Sequence, residues 1–385
     1  MANDKSFKVK NGLSAKRYLQ SGSALAASDV DVSSGSYFTK TLTANTTLTF
    51  SNPPPSGSAS SFALEITGAD VTVNYDLVNA AYDNADFSVS SQDTSPRGVR
   101  FNNDGTKMYV SGTTNDRVYQ YSLSTGFDLS TASYDSVNFS ISQLVGITFN
   151  NDGTKMYARG SGIQQYSLST AFDLSTASSD SVSLNVSTED TDPRAIVFNN
   201  DGTKLYVAGK TNDSVFQYSL STAFDLSTAS YDSVSFSVNS QQTALEGIAF
   251  NGDGTKLFIT GLTSLTLDNI HQYSLSTAFD LSTASYDGVG FDSLVPSSTN
   301  PTDLVFSSDG AKMYVIFISG SPARHIYQYS TSASTPATVT YPSSVKWSGA
   351  TTPDAPAAGE KDLYVFVTTD GGTTYYGKQA GDALA

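Results

Sequence analysis

A ten-residue phrase recurs along this chain at nearly constant spacing, and that recurrence limits the fold more than any other feature. It reads FNNDGTKMYV at 101–110, FNNDGTKMYA at 149–158, FNNDGTKLYV at 198–207 and FNGDGTKLFI at 250–259, with a worn copy, FSSDGAKMYV, at 306–315. A Gln-Tyr segment follows each copy, and YSLSTxFDLSTAS follows the first four. The turn aspartates Asp104, Asp152, Asp201, Asp253 and Asp309 lie 48, 49, 52 and 56 residues apart. That period is in the range of propeller blades and outside that of most helical repeats.

Within one period the pattern is that of strands. Residues 98–101 lead into Asn-Asp-Gly, a turn that needs positive φ and marks a hairpin, and residues 107–110 follow it. These are strands A and B. Residues 118–121 supply strand C, and after the FDLSTAS loop residues 137–142 supply strand D. Four antiparallel strands per period make one blade. The array opens with a D-like run at 86–90 and stops after a C-like run at 326–329. Five blades therefore close into a ring if the first D strand joins the last A–B–C set, which removes the open edges.

The flanks lie outside the repeat but are also β in character. YFTKTLTANTTLTF alternates, NPPPSG breaks it, and the last 25 residues hold a hairpin signal around Asp370-Gly371-Gly372. Three parts are expected: a docking segment at 1–27, a discontinuous β anchoring domain at 28–76 plus 335–385, and a propeller at 77–334. The fold class is all-β, a five-bladed β-propeller inserted into a small β-sandwich-like domain made of both chain ends. A chain that enters before a D strand and leaves after a C strand crosses on the A–B/C–D face, so the other face is expected to point away from the anchor.

Composition narrows the function. The net charge of −15 without clustered Lys and Arg argues against nucleic acid. Zero cysteines leave neither disulfides nor thiolate metal sites. The start, MANDKSFKVKNGL, has no apolar signal core, and no segment is long enough to span a bilayer. No membrane insertion is expected, and a product that leaves the cytoplasm by cell lysis fits.

The flanking stretches NDKSFKVKNGL, YFTKTLTANTTLTFSNPPPSGSASSFALEIT and ATVTYPSSVKWSGATTPDAPAAGEKDLYVFVTTDGGTTYYGKQAGDALA resemble structural proteins of tailed bacteriophages, marine and cyanobacterial ones especially. The resemblance implies a virion appendage such as a tail fibre. It further implies a virion location, other virion proteins as partners through the N-terminal segment and anchoring domain, and a homo-oligomer, with a trimer favoured.

Chemistry is sparse in the sequence. Of the two histidines, His271 takes a place that other copies fill with Tyr119, Gln164, Phe216 and Tyr327, which points to packing. No Ser/His/Asp set converges. The carboxylates a glycosidase needs could come from Asp93, Glu189, Asp190, Asp192 or Glu246, but spacing selects no pair. FNGDGT is a calcium-loop fragment without the further oxygen ligands, and TTDGGTTY is a lone Asp-box-like hairpin. No catalytic residue, metal or cofactor is expected, and the chain reads as a non-enzyme.

Variation between repeats gives the binding hypothesis. The A–B turns and C–D loops are nearly verbatim, whereas the B–C loops (SGTTNDR, RGSG, AGKTNDS, TGLTSLTLDN, IFISGSPARH) and the D–A loops differ. Loops on a rigid scaffold carry specificity. Arg97, Asn115, Asp116, Arg194, Asn212 and Asp213 are the candidate ligand contacts, with arginine forks suited to acidic sugars of a host-surface glycan. The function expected is host-surface or glycan attachment, with a purely structural decoration protein and a polysaccharide depolymerase as alternatives.

Overall fold

The computed structural model describes residues 22–262, 269–293, 299–319 and 323–384. Most of the docking segment at 1–27, and stretches of three variable loops, lie outside the described residues. Two compact units emerge, one running from Val73 to Ala333 and the other formed by the segments on either side of it.

The first unit contains five four-stranded antiparallel sheets. Blade 1 comprises Pro96–Phe101, Lys107–Gly112, Arg117–Leu123 and Ala132–Ser140 as strands A to D. Blades 2, 3 and 4 repeat this order from A strands Ile147–Phe149, Pro193–Phe198 and Leu245–Phe250. Blade 5 has Thr299–Phe306, Lys312–Ser319 and His325–Ser330 as A to C, and takes its D strand, Ala81–Ser88, from the start of the unit. Ile326 stands opposite Phe87 and Gln328 opposite Ala85 across that seam. The five-bladed, self-closing all-β propeller predicted by the period is thus the fold. Apolar side chains are buried between blades: Val99, Met108, Val110 and Tyr121 of blade 1 share a cluster with Tyr314, Ile316 and Ile326 of blade 5.

Two details differ from expectation. The D strands begin several residues early and carry a bulge, with Ser136 at φ +60 where the register between C and D shifts. A bulge inserts an unpaired residue and breaks the alternation from which strands are read. The second detail is a fifth copy of the C–D loop. Tyr75-Asp76-Leu77 stands where Phe127-Asp128-Leu129 stands in blade 1: the Tyr75 N–H donates to Gly310 O at 2.9 Å, as Phe127 N–H donates to Gly105 O at 3.1 Å. Positions past the leucine have diverged from STAS to VNAA, which hid it, while the packing positions keep an aromatic, an aspartate and a leucine.

The second unit is built on a six-stranded mixed sheet. Tyr37–Thr41 pairs in parallel with Ser60–Thr67, which pairs antiparallel with Lys361–Thr368, itself the neighbour of Tyr375–Leu384. Alternation along Ser60–Thr67 buries Phe62, Leu64 and Ile66. They share one core with Phe38, Tyr364, Phe366 and Tyr375, so residues from both ends of the chain complete it.

Candidate functional site

The B–C and D–A loops meet on one face of the propeller, and in blades 1 and 3 an aspartate latches them together. Buried Asp93 accepts the N–H groups of Ser95, Thr114 and Asn115 at 2.7, 3.3 and 3.1 Å. Asp190 does the same for Asp192, Thr211 and Asn212 at 2.7, 3.3 and 2.9 Å. The side-chain amide of Asn115 donates to Gln92 O and Tyr119 OH, and that of Asn212 to Glu189 O. Asp116 turns its loop at φ +52. The carboxylate of Asp213 accepts the Leu245 N–H at 3.2 Å, and burial pushes its pKa up. Four of the six candidate residues therefore shape loops.

The other two converge. Arg97, Arg194 and Glu246 occupy one equivalent position of strand A in blades 1, 3 and 4, a residue skipped where the A–B register shifts. Propeller symmetry places equivalent positions on a ring about the axis, and the bulge turns their side chains into the mouth of the channel. Glu246, 2% exposed, receives Lys210 Nζ at 2.6 Å, while Arg97 Nη1 and Arg194 Nε stand 3.7 Å from its Oε2. Arg97 thus reaches Glu246 from a blade that is not its neighbour. Arg194 Nη2 also meets Asp192 at 2.5 Å, and Arg159 Nη2 lies 3.6 Å from the other oxygen of Asp192.

Among the described residues, four cations share the two carboxylates Glu246 and Asp192, and the Nε atoms of Arg97, Arg159 and Arg194 are buried without a hydrogen-bond partner. Burial draws the Arg97 guanidinium below its ordinary pKa, with Glu246 opposing, and burial does the same to Arg159, with Asp192 opposing. Buried, under-paired guanidinium donors fit an incoming carboxylate or phosphate, which accepts in the plane of the fork.

Deeper in the channel, Arg100 Nη1 and Asp303 Oδ2 of blades 1 and 5 pair at 2.5 Å. Full burial pushes the Asp303 carboxyl up, and Arg100 and the Val99 N–H pull it back. His271 is fully buried with Tyr286 edge-on at 5.9 Å. His325 meets Asp86 at the blade 5 seam. Among the described residues no three His, Asp or Glu side chains gather as a metal-ligand set.

Glu246, Arg159 and Lys210 were not among the expected contacts. Glu246 lies 149 residues from Arg97, a distance at which spacing says nothing. The available signal was the repeat itself: aligned at their bulges, Pro96-Arg97-Gly98, Pro193-Arg194-Ala195 and Leu245-Glu246-Gly247 place two arginines and a glutamate on one ring.

The family model described as "Lactonase, 7-bladed beta-propeller" matches residues 60–232, less than half of the chain. No curated protein matches. Among solved structures, the chain is similar to a protein of Bacteroides uniformis ATCC 8492 provisionally described as a 6-phosphogluconolactonase, at 14% identity and TM-score 0.38, over 57% of this chain and 62% of that one. It is similar to a Bacteroides fragilis NCTC 9343 protein of the same provisional description, at 13% identity and TM-score 0.35, over 57% of this chain and 62% of that one. A functionally unknown protein of Desulfotomaculum acetoxidans DSM 771 aligns at 13% identity and TM-score 0.37, over 75% of this chain and 86% of that one. The chain thus spans less than two thirds of the first two. The match to a hydrolase family corrects the expectation of a non-enzyme. That expectation looked for catalytic groups by local spacing, whereas a propeller assembles its polar mouth from positions a blade or more apart.

Proposed function

We propose that the axial mouth binds an acidic carbohydrate and that the propeller is displayed for attachment to a surface bearing one. The observation that carries this reading is the convergence of Arg97, Arg159, Arg194 and Lys210 on only two carboxylates, in a chain of net charge −15. Half-buried cations that outnumber the carboxylates within ion-pair distance favour an anion that completes the cluster. A sugar carboxylate can take the free guanidinium donors while neighbouring hydroxyls meet Asp192 and the loop backbone. The phage-like flanks support display on a virion, with the anchoring domain and docking segment holding the particle.

A second reading, lactone hydrolysis, is favoured by the family match. Water would add to the lactone carbonyl, giving up its proton to Asp192 or Glu246. Arg97 and Arg194 would stabilise the oxyanion until the ring C–O bond breaks, the same carboxyl returns the proton to the departing alkoxide, and a hydroxy acid leaves.

One set of measurements separates the readings. Titration of the full chain with oligogalacturonates and with neutral galacto-oligosaccharides should show salt-sensitive binding of the acidic series alone. That binding should weaken about tenfold or more in Arg97→Ala and in Arg194→Ala, since hydrogen bonds to charged groups contribute roughly 1.5–3 kcal/mol. Equal binding of neutral and acidic sugars, or no binding, sinks the first reading. Acid release from glucono-1,5-lactone above the spontaneous rate, lost in Glu246→Gln or Asp192→Asn, would establish the second.

A further inference from the structure

Blade 2 departs from blades 1 and 3 in three ways that fall on one spot. Its B–C loop is RGSG where blades 1 and 3 have SGTTNDR and AGKTNDS. The D–A loop before it, SQLVG at 142–146, is shortened and has lost the counterpart of the latch aspartates Asp93 and Asp190. At the strand B position where the other blades bury Ser111, Ala208, Thr260 and Ile316, it carries Arg159. The short loops leave a notch of about 180 Å³ on the variable face, lined among others by Gln143, Arg159, Ser161, Asn185, Ser187 and Thr191.

The chemistry of the notch is selective. Arg159 stands 3.6 Å from Asp192, beyond hydrogen-bond reach, and its Nε has no partner among the described residues. Asp190 also borders the notch, but its oxygens accept the N–H groups of Asp192, Thr211 and Asn212. The remaining lining mixes the amides and hydroxyls of Gln143, Ser161, Asn185, Ser187 and Thr191 with Val186, Pro193 and two glycines. Drift at a core position conserves small or apolar side chains, because a buried cation there costs stability. Half-buried Arg159, in the blade with the shortened loops, is placed to meet an anion. The side chain is also joined to the mouth through Asp192, which it shares with Arg194.

We infer that the blade 2 notch is a second anionic subsite, taking the carboxylate of the sugar next to the one held at Arg97 and Arg194. The ligand is then an acidic oligosaccharide of at least two residues, and this rests on the reading of the mouth as an acidic-sugar site. Hydroxyls of the second ring would meet Gln143, Asn185 and Ser187.

The test compares galacturonic acid with digalacturonic acid on the full chain by calorimetry. The dimer should bind about tenfold tighter than the monomer, as one charge-assisted hydrogen-bond pair implies. Arg159→Gln should weaken the dimer more than the monomer and erase most of the difference between them, and Arg159→Lys should recover part of that difference. Insertion of Thr-Thr-Asn-Asp between Gly160 and Ser161, which fills the notch without removing Arg159, should also abolish the advantage of the dimer. An unaltered melting temperature shows that each variant is folded. Equal affinities for monomer and dimer, or equal weakening of both by Arg159→Gln, overturn the subsite alone. If neither sugar binds, the mouth reading falls and the subsite with it.

Discussion

At the scale of single residues, the two phrases that recur together are two halves of one contact. Gly105, Gly153, Gly202 and Gly254 each adopt φ between +71 and +74 in the A–B hairpin. A β-carbon at Gly202 would lie 2.3 Å from the ring of Phe224, which opens the next C–D loop and is itself at φ +60. The hairpin glycine is thus fixed by its turn and again by the aromatic ring packed on it. Gly288, in the bulge of a D strand, has φ +70 and nothing within 4 Å of a built β-carbon. Gly288→Ala should therefore cost only the left-handed strain, roughly 1–2 kcal/mol. Gly202→Ala should cost that plus overpacking against the ring, roughly 2–5 kcal/mol in all. Denaturant midpoints of the two variants decide: if Gly202→Ala costs no more than Gly288→Ala, the ring contact is not what holds FNNDGTK and FDLSTAS together.

Between elements, the blades are tied by the glutamine and tyrosine of the repeated strands. Gln120, Gln165, Gln217 and Gln328 each accept, through Oε1, the N–H of the C–D loop leucine of the next blade, at 3.0 to 3.1 Å. Tyr109 and Tyr157 donate to the carbonyls of Phe172 and Phe224 at 2.5 Å, and Tyr206 and Tyr314 to those of Phe279 and Phe127. Gln217→Ala leaves the Leu281 N–H buried and unpaired, at a cost of roughly 1–3 kcal/mol. Amide exchange should localise that loss to Leu281 and the turn after it, and uniform acceleration across all blades would contradict the pairwise tie. Period and turn chemistry made the blade count and the closing seam legible in sequence, because each strand is specified by its neighbours in the chain. The candidate mouth was legible only in part. Arg97 and Arg194 stood out as charges in variable loops, but their meeting at Glu246 is set by ring symmetry. The bulges that aim all three leave no mark that alternation alone reveals.

For the whole propeller, stability rests on a seam that joins residues more than two hundred positions apart. At that seam Asp83 receives Lys312 Nζ at 2.6 Å, Ser330 Oγ at 2.6 Å and Gln328 Nε2 at 2.9 Å. Burial raises the pKa of its carboxyl, but the Lys312, Ser330 and Gln328 contacts outweigh this and hold it below its ordinary value. A depressed carboxylate stabilises the fold above its unfolded pKa, near 4, and that contribution fades as pH falls through the lower folded value. Asp232 makes the same clasp in blade 3, to Gln217, Ser219 and Lys204 at 2.8, 2.9 and 3.5 Å, but its D strand follows its C strand directly. Asp83→Ala and Asp232→Ala should both lower the unfolding midpoint at pH 7, and the Asp83→Ala difference should shrink below pH 4. Their assembly behaviour should part. Loosening the blade 3 clasp leaves its strand tethered by a short loop, whereas loosening the seam frees Ala81–Ser88 and bares the C strand His325–Ser330 as an open edge. An open edge pairs with the same strand of another copy, so Asp83→Ala should form concentration-dependent dimers or larger species in sedimentation velocity while Asp232→Ala stays as the parent does. Equal self-association of the two variants, or none in Asp83→Ala despite a lowered midpoint, would mean that the inter-blade ties hold the ring shut without the seam.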